Sequence, residues 1–225
     1  MNRKNIILVT VTAGFLIFGC GALAADFIIS SKISSRINRE MPNASGVKTS
    51  VPLMDMAHNL TSNSIKSVDI NIDSYAFKGT NSDSSLAISA TDISKSQPTL
   101  IGSLDLTITI PASTILKSAN FQNAQIVGKA IEVSVGAGGL GKALLVPKFS
   151  KNQLYFQLQS VSIFGNEIPS SSLPSDIQNQ IKSRSIRNLQ VPKGLKAKSV
   201  SISNKGLLIK MYGSNVKLGN LGTAF

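Results

Sequence analysis

The stretch GSLDLTITIP, residues 102–111, sets Leu104, Leu106, Ile108 and Ile110 at every second position, with Asp105, Thr107 and Thr109 between them. Alternation at that period sends the aliphatic side chains to one face of an extended segment and the polar ones to the other. The segment therefore reads as a strand with one buried face. The same period recurs upstream, with Val68, Ile70 and Ile72 in KSVDINIDSYAF and Leu86, Ile88 and Ala90 in SLAISATDI. Downstream, AIEVSV, LYFQLQSVSIFG and the pair KAKSVSIS and LLIKMYG read as strands. The last two are joined at Asn204-Lys205-Gly206, residue types that accept positive φ and so suit a hairpin turn.

Helical spacing is confined to short pieces. In Asp26–Met41, residues Ile29, Ile33, Ile37 and Met41 fall four apart and form one apolar stripe, with Lys32, Arg36 and Arg39 on other faces and Pro42 closing the element. Such a helix either lies on a membrane or packs lengthwise on a sheet. PASTILKSA opens with Pro111, a residue suited to a first helical turn, and LPSDIQNQIKSR spaces Leu173, Ile177 and Ile181 four apart. The expected fold class is α+β: a curled, mostly antiparallel sheet packed on the long N-terminal helix.

Composition agrees with a sheet-rich chain. Trp is absent, aromatic residues are few, and the β-branched residues that pack well on pleated surfaces carry much of the apolar content. The net charge is +12, and the excess is concentrated at the C-terminal end. After Asp176 there are nine basic residues, Lys182, Arg184, Arg187, Lys193, Lys196, Lys198, Lys205, Lys210 and Lys217, and no acidic one. A field of this sign attracts polyanions, whether nucleic acid, anionic lipid or an acidic envelope polymer, unless it is simply a solvated face.

The N-terminus chooses between those partners. MNRKN is followed by twenty residues without charge, Ile6 to Ala25, and two basic residues before such a run mark a secretion signal or a membrane-spanning anchor with its basic end in the cytoplasm. Residues 1–25 are thus expected to be the signal or anchor, residues 26–218 an exported domain, and residues 219–225 a tail. Export removes nucleic acid from the partners and leaves the anionic membrane surface. Three fates of the segment stay open: cleavage at Ala22-Leu23-Ala24, lipidation at Cys20, or an uncut span. Cys20 is the only cysteine, so no internal disulfide forms.

Catalytic parts are scarce. Gly136, Gly141 and Lys142 spell part of a phosphate-binding loop, but position 143 is Ala, where a Ser or Thr hydroxyl would hold magnesium. Pro147 stops any helix within a turn, so the glycines read as a connector between strands. His58 is the single histidine. Asp55, three residues earlier, is placed to orient it on a helical turn, although no Gly-x-Ser-x-Gly elbow supplies a nucleophile. Asp69 and Asp73 are candidates to pair with Lys66 or Lys78. No His, Cys or carboxylate group has metal-ligand spacing. No catalytic residue, metal or cofactor is expected, and the chain reads as a non-enzyme.

Residues 189–218, LQVPKGLKAKSVSISNKGLLIKMYGSNVKL, resemble the C-terminal signature of the LmeA family of actinobacterial envelope proteins, through Leu189, Pro192, Gly194, Leu195, Gly206, Gly213, Val216 and Leu218. Upstream, Pro52 and Leu53 match the family's Pro-Leu pair before a short helix and a strand. The resemblance implies a phospholipid-binding protein, membrane-anchored and extracytoplasmic, with a TULIP-like fold whose curled sheet and long helix enclose an apolar groove. It also implies a role in lipid or lipoglycan assembly, with phospholipid or lipid-linked glycan as ligand and envelope glycosyltransferases as partners.

On that reading Ile29, Ile33, Ile37, Leu104, Leu106 and Ile108 are expected to line the groove, and Lys193, Lys196 and Lys198 to meet the headgroup or membrane. The alternative is a structural or adhesion-type envelope protein, in which the same aliphatic stripes form an ordinary filled core and the basic face holds an acidic polymer.

Overall fold

The computed structural model describes residues 43–76, 83–96, 98–118, 124–135, 141–150, 153–173, 187–188, 191 and 193–217, together with single helical positions at 34, 35, 38, 175 and 179. Twelve strands dominate: β1 (Ala44–Ser50), β2 (Ser64–Ala76), β3 (Asp83–Ser94), β4 (Leu100–Pro111), β5 (Gln125–Val127), β6 (Ala130–Val135), β7 (Gly141–Ser150), β8 (Gln153–Ile163), β9 (Asn166–Pro169), β10 (Arg187–Asn188), β11 (Lys196–Ser203) and β12 (Gly206–Lys217). The described α-helices are α1 (Met56–Thr61) and α2 (Ala112–Ser118), with 3-10 turns at Leu53–Asp55 and Ser170–Ser172.

The strands form two six-stranded sheets. One runs in the order β1-β2-β3-β4-β12-β11; the other runs β10-β8-β7-β6-β5, with β9 added to β8. The expected α+β architecture, a single curled sheet wrapped on a long N-terminal helix, is therefore corrected to a mostly-β protein with two antiparallel sheets. The longer described helix has only seven residues. The reason lies after β4, where the chain leaves the first sheet at Pro111, makes α2, and then closes β5 to β9 by successive antiparallel pairings among themselves. Ile29, Ile33 and Ile37, expected on the long helix, lie outside the described residues.

The described residues cluster into two compact units, one drawn from Leu8–Ile108, Gln190–Lys198 and Lys210–Phe225, the other from Thr109–Leu189 and Ser199–Ile209. In the first, alternation has the consequence the sequence predicts. Val68 pairs with Ala90, Ile70 with Ile88 and Ile72 with Leu86, and all six are buried. Leu104, Leu106 and Ile108 are buried as well, at 4, 2 and 0 % exposure. Close cross-strand aliphatic pairs of this sort are the unit of sheet stabilisation.

In the second unit Ile131 pairs with Leu145, which in turn pairs with Leu158, and all three are buried. The β11–β12 connection is the predicted hairpin. Gly206 opens β12 at φ +130°, and a Cβ there would run into the Ile110 carbonyl, so only glycine fits.

Candidate functional site: a trench at a strand bulge

The second unit carries an open trench of about 460 Å³, a size within the roughly 300–1,000 Å³ range of small-molecule sites. Two local departures from regular sheet make it. β6 meets β7 only over Ile131–Val135 and Gly141–Leu145, while β7 continues to Ser150. Among the described residues no strand pairs with β7 on that side beyond Leu145. Pro147 sits in the vacated stretch, where its missing N–H leaves no donor unsatisfied.

The second departure is a register shift in the β7–β8 ladder. Leu144 faces Ser160 but Leu145 faces Leu158, so Gln159 is an extra residue. A bulge of this kind bends the strand and redirects its side chains. Gln157, Leu158 and Gln159 line the trench beside this bulge, Leu158 buried between two exposed glutamines. Val146, Pro147 and Lys148 of β7 line it too, as do Val200, Ser201 and Ile202 of β11. Ser170, at the start of the second 3-10 turn, and Lys129, in the β5–β6 turn, complete the wall.

Chemically the trench is an apolar floor with a cationic margin. Val146, Pro147, Leu158, Val200 and Ile202 supply aliphatic surface, and Gln157 and Gln159 supply amide donors and acceptors. Lys129 and Lys148 are exposed, and neither enters an ion pair or hydrogen bond among the described residues. Among the described residues no carboxylate lines the space. The arrangement suits a guest with an apolar body and an anionic group.

Of the residues predicted to line a groove, Leu104, Leu106 and Ile108 do not line the trench, and Ile29, Ile33 and Ile37 lie outside the described residues. Leu104, Leu106 and Ile108 are buried in β4 within the first unit. Lys193, Lys196 and Lys198 are exposed, as headgroup contacts would need to be, but they do not line the trench either. The trench residues were missed because they come from β7, β8 and β11, segments distant in sequence that meet only in the fold. Pro147 inside an otherwise strand-like run is the one signal that marked an unpaired edge.

The other sequence candidates resolve into structural contacts. Gly141 is buried in β7 opposite Val135 and Ile163, and Lys142 is bound to Glu132 Oε1 at 2.9 Å, so neither is free to cradle a phosphate. Asp55 accepts a hydrogen bond from Ser67 Oγ at 2.7 Å and pairs with Lys66 Nζ at 3.0 Å. These contacts, the Ser67 bond foremost, hold its carboxyl below the ordinary range.

His58 is exposed, and its Nε2 lies 3.2 Å from Ser64 Oγ. Asp55 makes no hydrogen bond to it among the described residues, so the Asp–His orientation does not form. Lys95 Nζ donates to the carbonyls of Asn59 and Ser62, closing the end of α1. Asp73 pairs with Lys48 at 2.9 Å on the surface. Among the described residues no group of His, Cys, Asp and Glu is placed to hold a metal ion, and no helix is long and apolar enough to cross a membrane.

The chain matches no known protein family, curated protein or solved structure.

Proposed function

We propose that this chain is a non-enzymatic, membrane-tethered, extracytoplasmic protein that binds an anionic amphiphile, a phospholipid or a lipid-linked glycan, and serves envelope lipid or lipoglycan assembly. The observation that carries the reading is the trench, where an aliphatic floor meets two lysines that, among the described residues, have no ion-pair partner, with no described carboxylate in the lining. A hydrocarbon segment laid on that floor gains about 0.8 kcal/mol for each methylene removed from water. A phosphate or carboxylate near Lys129 or Lys148 adds on the order of 1 kcal/mol per lysine. Support also comes from the uncharged run Ile6–Ala25, which suits a signal or membrane anchor, and from the net charge of +12, which favours an anionic surface. The resemblance of residues 189–218 to envelope lipid binders points the same way.

The test is photocrosslinking of the full-length chain in vesicles containing phosphatidylglycerol with a diazirine in its acyl chain, followed by peptide mapping. Label on the peptides holding Val146–Lys148, Gln157–Gln159 or Val200–Ile202 is the expected result. Label confined to residues 6–25 overturns the proposal.

A further inference from the structure

The β8–β9 hairpin ends in a residue that its turn chemistry does not explain. Ile163 pairs with Asn166, which leaves Phe164 and Gly165 as a two-residue loop, and both have positive φ, +51° and +83°. Loops of this type favour Asn or Gly at both positions, because an L side chain at positive φ crowds its own backbone. Gly165 follows the rule and Phe164 breaks it. The ring is also unburied: Phe164 is 77 % exposed and its neighbour Ile163 42 % exposed. A Cβ added at Gly165 would meet no atom within 4 Å, so the turn is open at that position.

We infer that this tip inserts into the lipid leaflet facing the exported domain, with Phe164 as the principal anchor and Ile163 beside it. Neither residue contributes to the core, the turn would be better served by Asn at 164, and Ser162, Gly165 and Asn166 put no charge next to the ring. An aromatic ring with an aliphatic neighbour at a protruding tip is suited to the boundary between headgroups and acyl chains. A bilayer is the occupant favoured over a protein because the sequence supplies an uncharged span at Ile6–Ala25 and a charge of +12 to draw the domain onto an anionic surface. The inference rests on the membrane-tethered reading but not on what the trench holds.

The chain has no tryptophan, so Phe164→Trp installs a single reporter and keeps an aromatic side chain on the same backbone. In vesicles reconstituted with the full-length variant, brominated acyl chains are expected to quench its emission about twofold, as befits a side chain buried roughly 5–10 Å into the acyl boundary. Iodide in the surrounding water is expected to quench it little. Emission that ignores brominated lipid overturns the inference, whether the ring is then open to iodide or shielded by a second protein copy.

A second pair of variants guards against misfolding. Ile163→Trp should also be quenched by brominated lipid, and adding Phe164→Asn should reduce that quenching while leaving the melting temperature equal or higher. Unchanged quenching in the double variant overturns the role of Phe164. Gln159, at the trench, lies five residues from the tip, or about 16 Å along an extended strand, so lipid held in the trench does not mimic insertion. Trench crosslinking with an unquenched Trp sinks the tip alone; quenching without trench crosslinking sinks the cargo reading alone.

Discussion

Gly213 lies against Gly194. A Cβ built at 213 would stand 2.6 Å from the Gly194 carbonyl oxygen, 2.6 Å from Val216 Cγ2 and 2.7 Å from Leu195 Cδ2. Gly194 itself is at φ +95°, with a would-be Cβ 3.2 Å from Val216 Cγ1. Four residues of the C-terminal signature thus converge on one tight contact, and their chemistry is packing. Gly213→Ala must push backbone, not only a flexible side chain, and should destabilise the protein by about 1–3 kcal/mol. Thermal melting of the variant beside wild type checks this.

Leu106 and Ile108 allow a packed interior to be told apart from a ligand groove by experiment. Both are almost fully buried in β4. Leu106→Ala should therefore cost about 2–5 kcal/mol of folding stability and leave the trench crosslinking pattern unchanged at temperatures where the variant is folded. Loss of lipid labelling without loss of stability would return Leu106 to a ligand site. Denaturant titration alongside crosslinking distinguishes the two.

Lys148 and Lys129 are the charges placed to hold an anionic group. Lys148→Gln, made on a surface position with no ion pair among the described residues, should lower trench labelling by anionic lipid roughly fivefold, since one lysine contributes on the order of 1 kcal/mol. Labelling by a zwitterionic probe should change less. Equal losses for both probes would assign Lys148 a packing role.

Asp55 gives the protein a pH signature. Its carboxyl titrates below the ordinary range because Ser67, and then Lys66, hydrogen-bond its charged form. The folded pKa lies below the unfolded one, so the resulting stability is complete above the unfolded value and is lost as pH falls through the folded value. The stability gap between wild type and Asp55→Asn should be widest near neutral pH and close on acidification to about pH 2. Urea titrations across that window read it directly, and a gap that widened in acid would reverse the assignment.

Much of the secondary structure is legible from period alone, and its arrangement is not. Alternation at 68–72, 86–90 and 104–110 predicts β2, β3 and β4, Pro111 marks the start of α2, and Asn204–Gly206 marks the closing hairpin. A period of two fixes which side chains share a face, but it says nothing about how many sheets those faces build. That depends on which strands find each other, and here β5 to β9 pair in succession apart from the first sheet.

The trench was hidden for a related reason. Gln157, Leu158 and Gln159 read as ordinary alternation and keep it in the fold, and only the meeting of β7, β8 and β11 makes them part of one wall. Lys142 was misleading in the opposite sense, since its glycine-rich approach suggests an anion while Glu132 already occupies it.

The proline in β7 also limits what can occupy its unpaired margin. A bare strand border ordinarily recruits another polypeptide through a row of amide donors and carbonyl acceptors, which is how sheets aggregate or swap segments. Pro147 interrupts that row with a residue that cannot donate. The border is thereby poorly suited to peptide addition, and the protein can keep an oily gap open without fusing to its neighbours.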